Sequence, residues 1–133
     1  MNRQLSPVEQ SFTEPVTLNF ERIRLLMLNQ KTGVSLPQNW EAACHQYRCF
    51  IGLKQRYPSL LLVPPPAALQ LWQAHILDTR TYRSDCVRLL QRFLDHLPGL
   101  GLHGPVDQQQ LQAAHSACRE LLLRHYGPDS LLT

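Results

Sequence analysis

Apolar residues recur at every third or fourth position along most of this chain, and proline or glycine marks nearly every interruption. That period belongs to helices with one buried face. From Pro15, suited to a first helical turn, Val16, Phe20, Ile23 and Met27 keep the spacing until Gly33 offers a stop. Ser35-Leu36-Pro37 reads as a linker. Asn39 is a fitting cap for a second helix, in which Trp40, Ala43, Tyr47, Phe50 and Ile51 share a face and which ends near Tyr57, before Pro58. The stretch SLLLVPPP, residues 59–66, is apolar but short and proline-terminated, so an extended connector across the core is expected.

A third helix opens after these prolines and carries Leu69, Trp72 and Ile76. A fourth is predicted from about Thr79 to Leu97, with Tyr82, Cys86, Leu89, Leu90 and Phe93 facing inward, until Pro98-Gly99-Leu100-Gly101 breaks it. Asp107 can cap a fifth, whose stripe of Leu111, Ala114, Cys118, Leu121 and Leu122 runs to Gly127-Pro128. The expected architecture is all-α. One compact domain of about five helices spans residues 13–128, between a flexible tail at 1–12 and a C-terminal tail at 129–133.

Composition narrows the class without naming a function. The 133 residues suit one domain that buries about two-thirds of its unfolded surface. Hydrophobic residues make up 44% and charged residues 17%, a globular balance. A formal charge of +3, without a concentrated basic patch, argues against nucleic acid as the partner. The opening residues MNRQLSPVEQSFTEP hold no apolar core, so no secretory signal is expected. No apolar run approaches the roughly 20 residues of a membrane helix, so no membrane partner is expected either. Cys44, Cys49, Cys86 and Cys118 show no paired spacing and fall within amphipathic helices, which points to free thiols in the cytoplasm.

The densest chemistry lies in LWQAHILDTRTYRSDC, residues 71–86. Within LLVPPPAALQLWQAHILDTRTYRSDCVRLLQRFLDHLPGLG, the segment WxxHILDTxxYxxDC resembles the core of the glycine-rich domain-containing protein-like family. The resemblance extends from about Val16 to Gly127, and its matched positions are Trp72, His75, Asp78, Thr79, Tyr82, Asp85, Cys86 and His96. It implies a small helical protein of the bacterial kind, without the glycine-rich and RNA-binding segments of plant members. Gln73 stands where the family's first histidine would be, Leu69 replaces an aspartate, Asp95 replaces one of a histidine pair, and Leu100 replaces an aromatic.

Two readings of this segment compete. A histidine and a carboxylate three apart share a helical face, so His75 and Asp78 could ligate a metal, with Cys86 and His96 completing the set from the next helix. The thiolate would favour zinc, with iron as the other option. Alternatively the segment is a polar helix corner, where Asp78 or Thr79 caps the fourth helix and His75 hydrogen-bonds a carbonyl or Asp85, beside Trp72 and Tyr82. Cys86 lies on the apolar side of its helix, which favours packing over nucleophilic chemistry. No serine elbow or phosphate-cradling glycine loop is present. Arg80, Arg83, Arg88 and Arg92 are expected as an exposed row on the opposite face.

Two functions of different class follow. The first is a non-catalytic cytoplasmic interaction or adaptor domain, without a cofactor, that presents a helical groove or its arginine face to a protein partner. The second is a metal-binding protein or metal-dependent enzyme built around His75, Asp78, Cys86 and His96. The residues weigh toward the first, and so against an enzyme.

Overall fold

Asparagines set the first two helices. A computed structural model of the chain describes residues 16–29 and 32–132, and among them it holds five α-helices, a short 3-10 helix and no strand. Asn19 precedes α1 (Phe20–Leu28), and its side-chain oxygen accepts the backbone N–H of Arg22 at 3.0 Å. The expected start at Pro15 and the tail at 1–12 lie outside the described residues, and residues 16–19 are not helical. Asn39 starts α2 (Trp40–Arg56) in the same way, accepting from Ala42 N–H at 3.1 Å. Prolines occupy the opening turns of α3 (Pro66–Leu77) and α5 (Pro105–Tyr126), where their missing N–H costs nothing. Between them, α4 (Thr79–Leu90) follows α3 across the single residue Asp78. None of these helices is long and apolar enough to cross a membrane.

The structure corrects the end of α4. It stops at Leu90, not near Leu97, because Gln91 turns into the left-handed region at φ 57°. That conformation costs an L-residue about 1–2 kcal/mol. In return Leu94 enters the core and its carbonyl accepts the Tyr82 hydroxyl at 2.6 Å. Phe93 thereby leaves the helical phase that would have buried it: it is 45% exposed and meets Tyr82 edge-on. Asp107 does not cap α5 either. Its carboxylate accepts the backbone N–H groups of Gly101 and His103, at 2.6 and 3.1 Å, and so ties down the loop before the helix. In that loop Gly101 has φ +95°, and a Cβ there would lie 2.6 Å from Leu111 Cδ2, so any other residue would strain the backbone and displace Leu111.

Helix α2 is the centre of the assembly. It packs against α3, α4, α5 and the 3-10 helix, while α1 lies on α3. Its own Tyr47, Phe50 and Leu53 are fully buried, as are Leu71, Leu89 and Leu122 on α3, α4 and α5. The apolar connector expected at 59–66 crosses between helices, with Leu62 buried, but it ends at residue 65 because Pro66 already opens α3. Buried or partly buried cations hold it: Lys54 Nζ donates to Leu60 O at 2.5 Å, and Arg92 donates to Pro58 O. Burial, reinforced by nearby Arg92, pulls the Lys54 ammonium down to about 8.

The residues read as a C-terminal tail are docked through one buried amide. Ser130 is fully buried in the 3-10 helix Pro128–Leu131. Gln46, on α2, donates to the carbonyls of Ser130 and Leu132 at 3.0 and 3.3 Å. Its oxygen accepts Ala68 N–H at 3.1 Å, so a distant side chain satisfies an open donor in the first turn of α3. Replacing Gln46 with Met leaves these buried groups unpaired and should lower unfolding free energy by about 2–3 kcal/mol in urea titration. Residues after Gly127 should also become sensitive to carboxypeptidase, while the wild-type end resists it.

Candidate functional site

The corner between α3 and α4 is built around His75, which is 2% exposed and bonded at both ring nitrogens. Nδ1 meets the Tyr47 hydroxyl and Nε2 meets Asp85 Oδ2, each at 2.8 Å. Burial holds the Tyr47 phenol well above its usual range, so it is the donor, and the neutral imidazole then gives its own proton to Asp85. Burial also lowers the His75 pKa, against the opposing pull of Asp85. Arg88 continues the chain, donating to Asp85 Oδ1 at 2.9 Å and to Thr17 Oγ1 and O at 2.8 Å. A second chain runs beside it: Trp72 Nε1–H donates to the Tyr82 hydroxyl at 2.8 Å, and that hydroxyl donates to Leu94 O. No buried side-chain polar atom lacks a partner among the described residues.

The four residues considered as metal ligands turn to separate tasks. His75 has no free nitrogen. Asp78 faces α1, where Arg22 grips both its oxygens at 2.5 and 3.1 Å and holds its carboxyl below the usual range. Cys86 is buried, and burial raises its thiol pKa, as it raises Cys44 and Cys49 to about 11 and Cys118 to about 12. His96 stands edge-on to Trp72, with centroids 4.6 Å apart. Among the described residues no three histidines, cysteines or carboxylates converge on one point. Asp78 precedes α4 but its side chain does not cap it, and Thr79 is exposed. The corner is polar because it joins three helices, and Arg22 and Tyr47 are the partners that spacing within the motif could not reveal.

The arginine row divides. Arg80 and Arg83 are exposed as expected. Arg88 is exposed yet committed to Thr17 and Asp85, and Arg92 is only partly exposed because it points back to Pro58. The expected exposed row therefore holds at Arg80, Arg83 and Arg88, and is corrected at Arg92.

A cleft of about 270 Å³ opens where α3, the 95–100 segment and α5 meet, next to the second hydrogen-bond chain. Leu61, Trp72, Leu97 and Leu111 supply apolar walls, and His96 and His115 add two imidazoles. Desolvation lowers the His96 pKa, so the ring is neutral at physiological pH. Leu61 and Leu97 remain 42% and 53% exposed. His115 was absent from the sequence candidates, although it follows Leu111 at i+4 and so shares its side of α5.

Removing the Tyr82 hydroxyl tests the second chain: Tyr82→Phe strands the Trp72 N–H and the Leu94 carbonyl and should cost about 1–3 kcal/mol by urea titration. Acid tests the first. The folded-state pKa of His75, and those of His96 and His125, are all depressed chiefly by burial. The unfolded chain therefore binds more protons once pH drops below about 6.5, and stability present above that value is lost as pH falls through the folded values. The melting temperature should decline from about pH 7 toward about pH 5, with a shallower decline in His75→Gln. No protein-family model, curated protein or solved structure matches this chain.

Proposed function

We propose that the chain is a non-catalytic protein-interaction module whose cleft receives an apolar anchor side chain from a protein partner. The observation that carries this reading is an apolar cleft, lined by Trp72 and Leu111, whose Leu61 and Leu97 stay in contact with water. Exposed apolar surface around a concavity is characteristic of recognition sites. Its volume of about 270 Å³ lies at the small end of the roughly 300–1,000 Å³ range of binding pockets and gives room for an inserted side chain. Gln73, Asp95, His96 and His115 supply hydrogen-bonding groups in the same lining.

Kinship with the glycine-rich domain-containing protein-like family belongs to this proposal. The residues that carry the likeness, Trp72, His75, Tyr82 and Asp85, bond one another and Tyr47 in the helix corner, a scaffolding role compatible with a non-enzymatic domain. A zinc or iron centre at His75, Asp78, Cys86 and His96 lacks comparable support, since their partners lie in different directions.

Selection of displayed random peptides against the chain tests the reading directly. Enriched sequences should share a bulky apolar residue, and their synthetic versions should shift the Trp72 indole N–H resonance. Leu97→Glu and Leu61→Glu should each weaken binding roughly tenfold or more while changing stability by no more than about 0.5 kcal/mol. A selection without enrichment, or peptides whose binding ignores both substitutions, would overturn it.

A further inference from the structure

We infer that the outer face of α4 is a second docking surface, shaped for an acidic helical segment of a protein partner. Arg80, Arg83, Ser84, Val87 and Arg88 line one shallow concavity. Their spacing places them along a single stripe about 12 Å long, two turns of helix. None of them lines the cleft, so the inference stands independently of the function proposed above.

Charge is what the surface offers. Arg80 and Arg83 have no carboxylate partner among the described residues. Arg88 has been immobilised by Thr17 and Asp85, which fixes the far end of the row. Arg83 rests over the Phe93 ring, at 6.0 Å from its centroid, and is thereby oriented without being neutralised. Val87, 57% exposed, supplies an apolar point among the guanidinium groups. A helix with carboxylates at i and i+3 or i+4, and an apolar side chain to cover Val87, complements this arrangement.

Other polyanions fit less well. Single-stranded nucleic acid needs successive open aromatic platforms, and none of the five residues that line this concavity is aromatic. A bilayer needs an apolar surface that projects, whereas Val87 lies within a concavity. Asp85, bonded to Arg88, lowers the field at one end and suits a partner with few charges in register over a uniform anionic surface.

Fluorescence anisotropy with a labelled synthetic peptide measures the binding. The probe is an amphipathic helix of about 18 residues with glutamates four apart and leucines between them. A control of the same composition has its glutamates grouped in one block. The full chain should bind the periodic peptide saturably, with affinity falling as salt rises, and should bind the blocked control at least tenfold more weakly. Arg80→Gln/Arg83→Gln and Arg80→Glu/Arg83→Glu should lower affinity in that order, by at least tenfold for the reversal, while Leu97→Glu leaves it unchanged. Thermal melts matching wild type show that both double variants are folded. Equal affinity for the two peptides, or equal binding by wild type and the double reversal, overturns the inference. Tighter retention on vesicles of phosphatidylcholine and phosphatidylserine than on the peptide also overturns it, in favour of a lipid surface.

Discussion

A neutral imidazole shut away from water must place both ring nitrogens against protein, and His75 does so between Tyr47 on α2 and Asp85 on α4. Three helices are thereby brought to one ring, since His75 itself belongs to α3. The geometry admits little slack: each partner fixes the role of the next, from phenol to imidazole to carboxylate to guanidinium. Arg88 carries the arrangement out to Thr17, so the segment before α1 is aligned by the same chain. The ion pair between Arg22 and Asp78 then seats α1 against the corner from the other side.

A rigid corner of this kind separates support from display. The polar groups of WxxHILDTxxYxxDC are largely turned inward, and two surfaces of different character remain outside: an apolar cleft beside Trp72 and a basic stripe on α4. Because the stripe lies on α4 and one wall of the cleft on α3, helices that the buried network joins, these surfaces can meet a partner with little reorganisation, which reduces the entropic cost of association. Two such faces on a small helical body are what the proposed adaptor role would require.

The helices were legible in the sequence where their limits are local. Asn39, Pro66 and Gly127 act through adjacent backbone, and each marks a boundary where the pattern places it. The end of α4 was not legible, because Gln91 is no habitual helix breaker and the pull comes from Tyr82 on Leu94 and from Pro58 on Arg92. Helical phase correctly put Arg88 on the outside but could not supply Thr17, 71 residues away in sequence. The same limit applies to the corner. Spacing brought His75 and Asp78 close along the chain, whereas Tyr47 and Arg22, from other helices, decide what their atoms do. The docked C-terminal helix was hidden for a related reason: nothing near Ser130 announces that a glutamine on α2 will hold it.

That glutamine also shapes the order of events in folding. Most contacts in a helical domain join neighbours in sequence and form rapidly. Gln46 instead joins carbonyls 84 and 86 residues further along to an N–H 22 residues away, and all must be in place before its amide is satisfied. Closing so long a loop before the helices have packed would forfeit chain entropy with little return. The clasp therefore belongs on the native side of the folding barrier, where it acts as a latch: it slows unfolding while leaving the speed of folding to the helices.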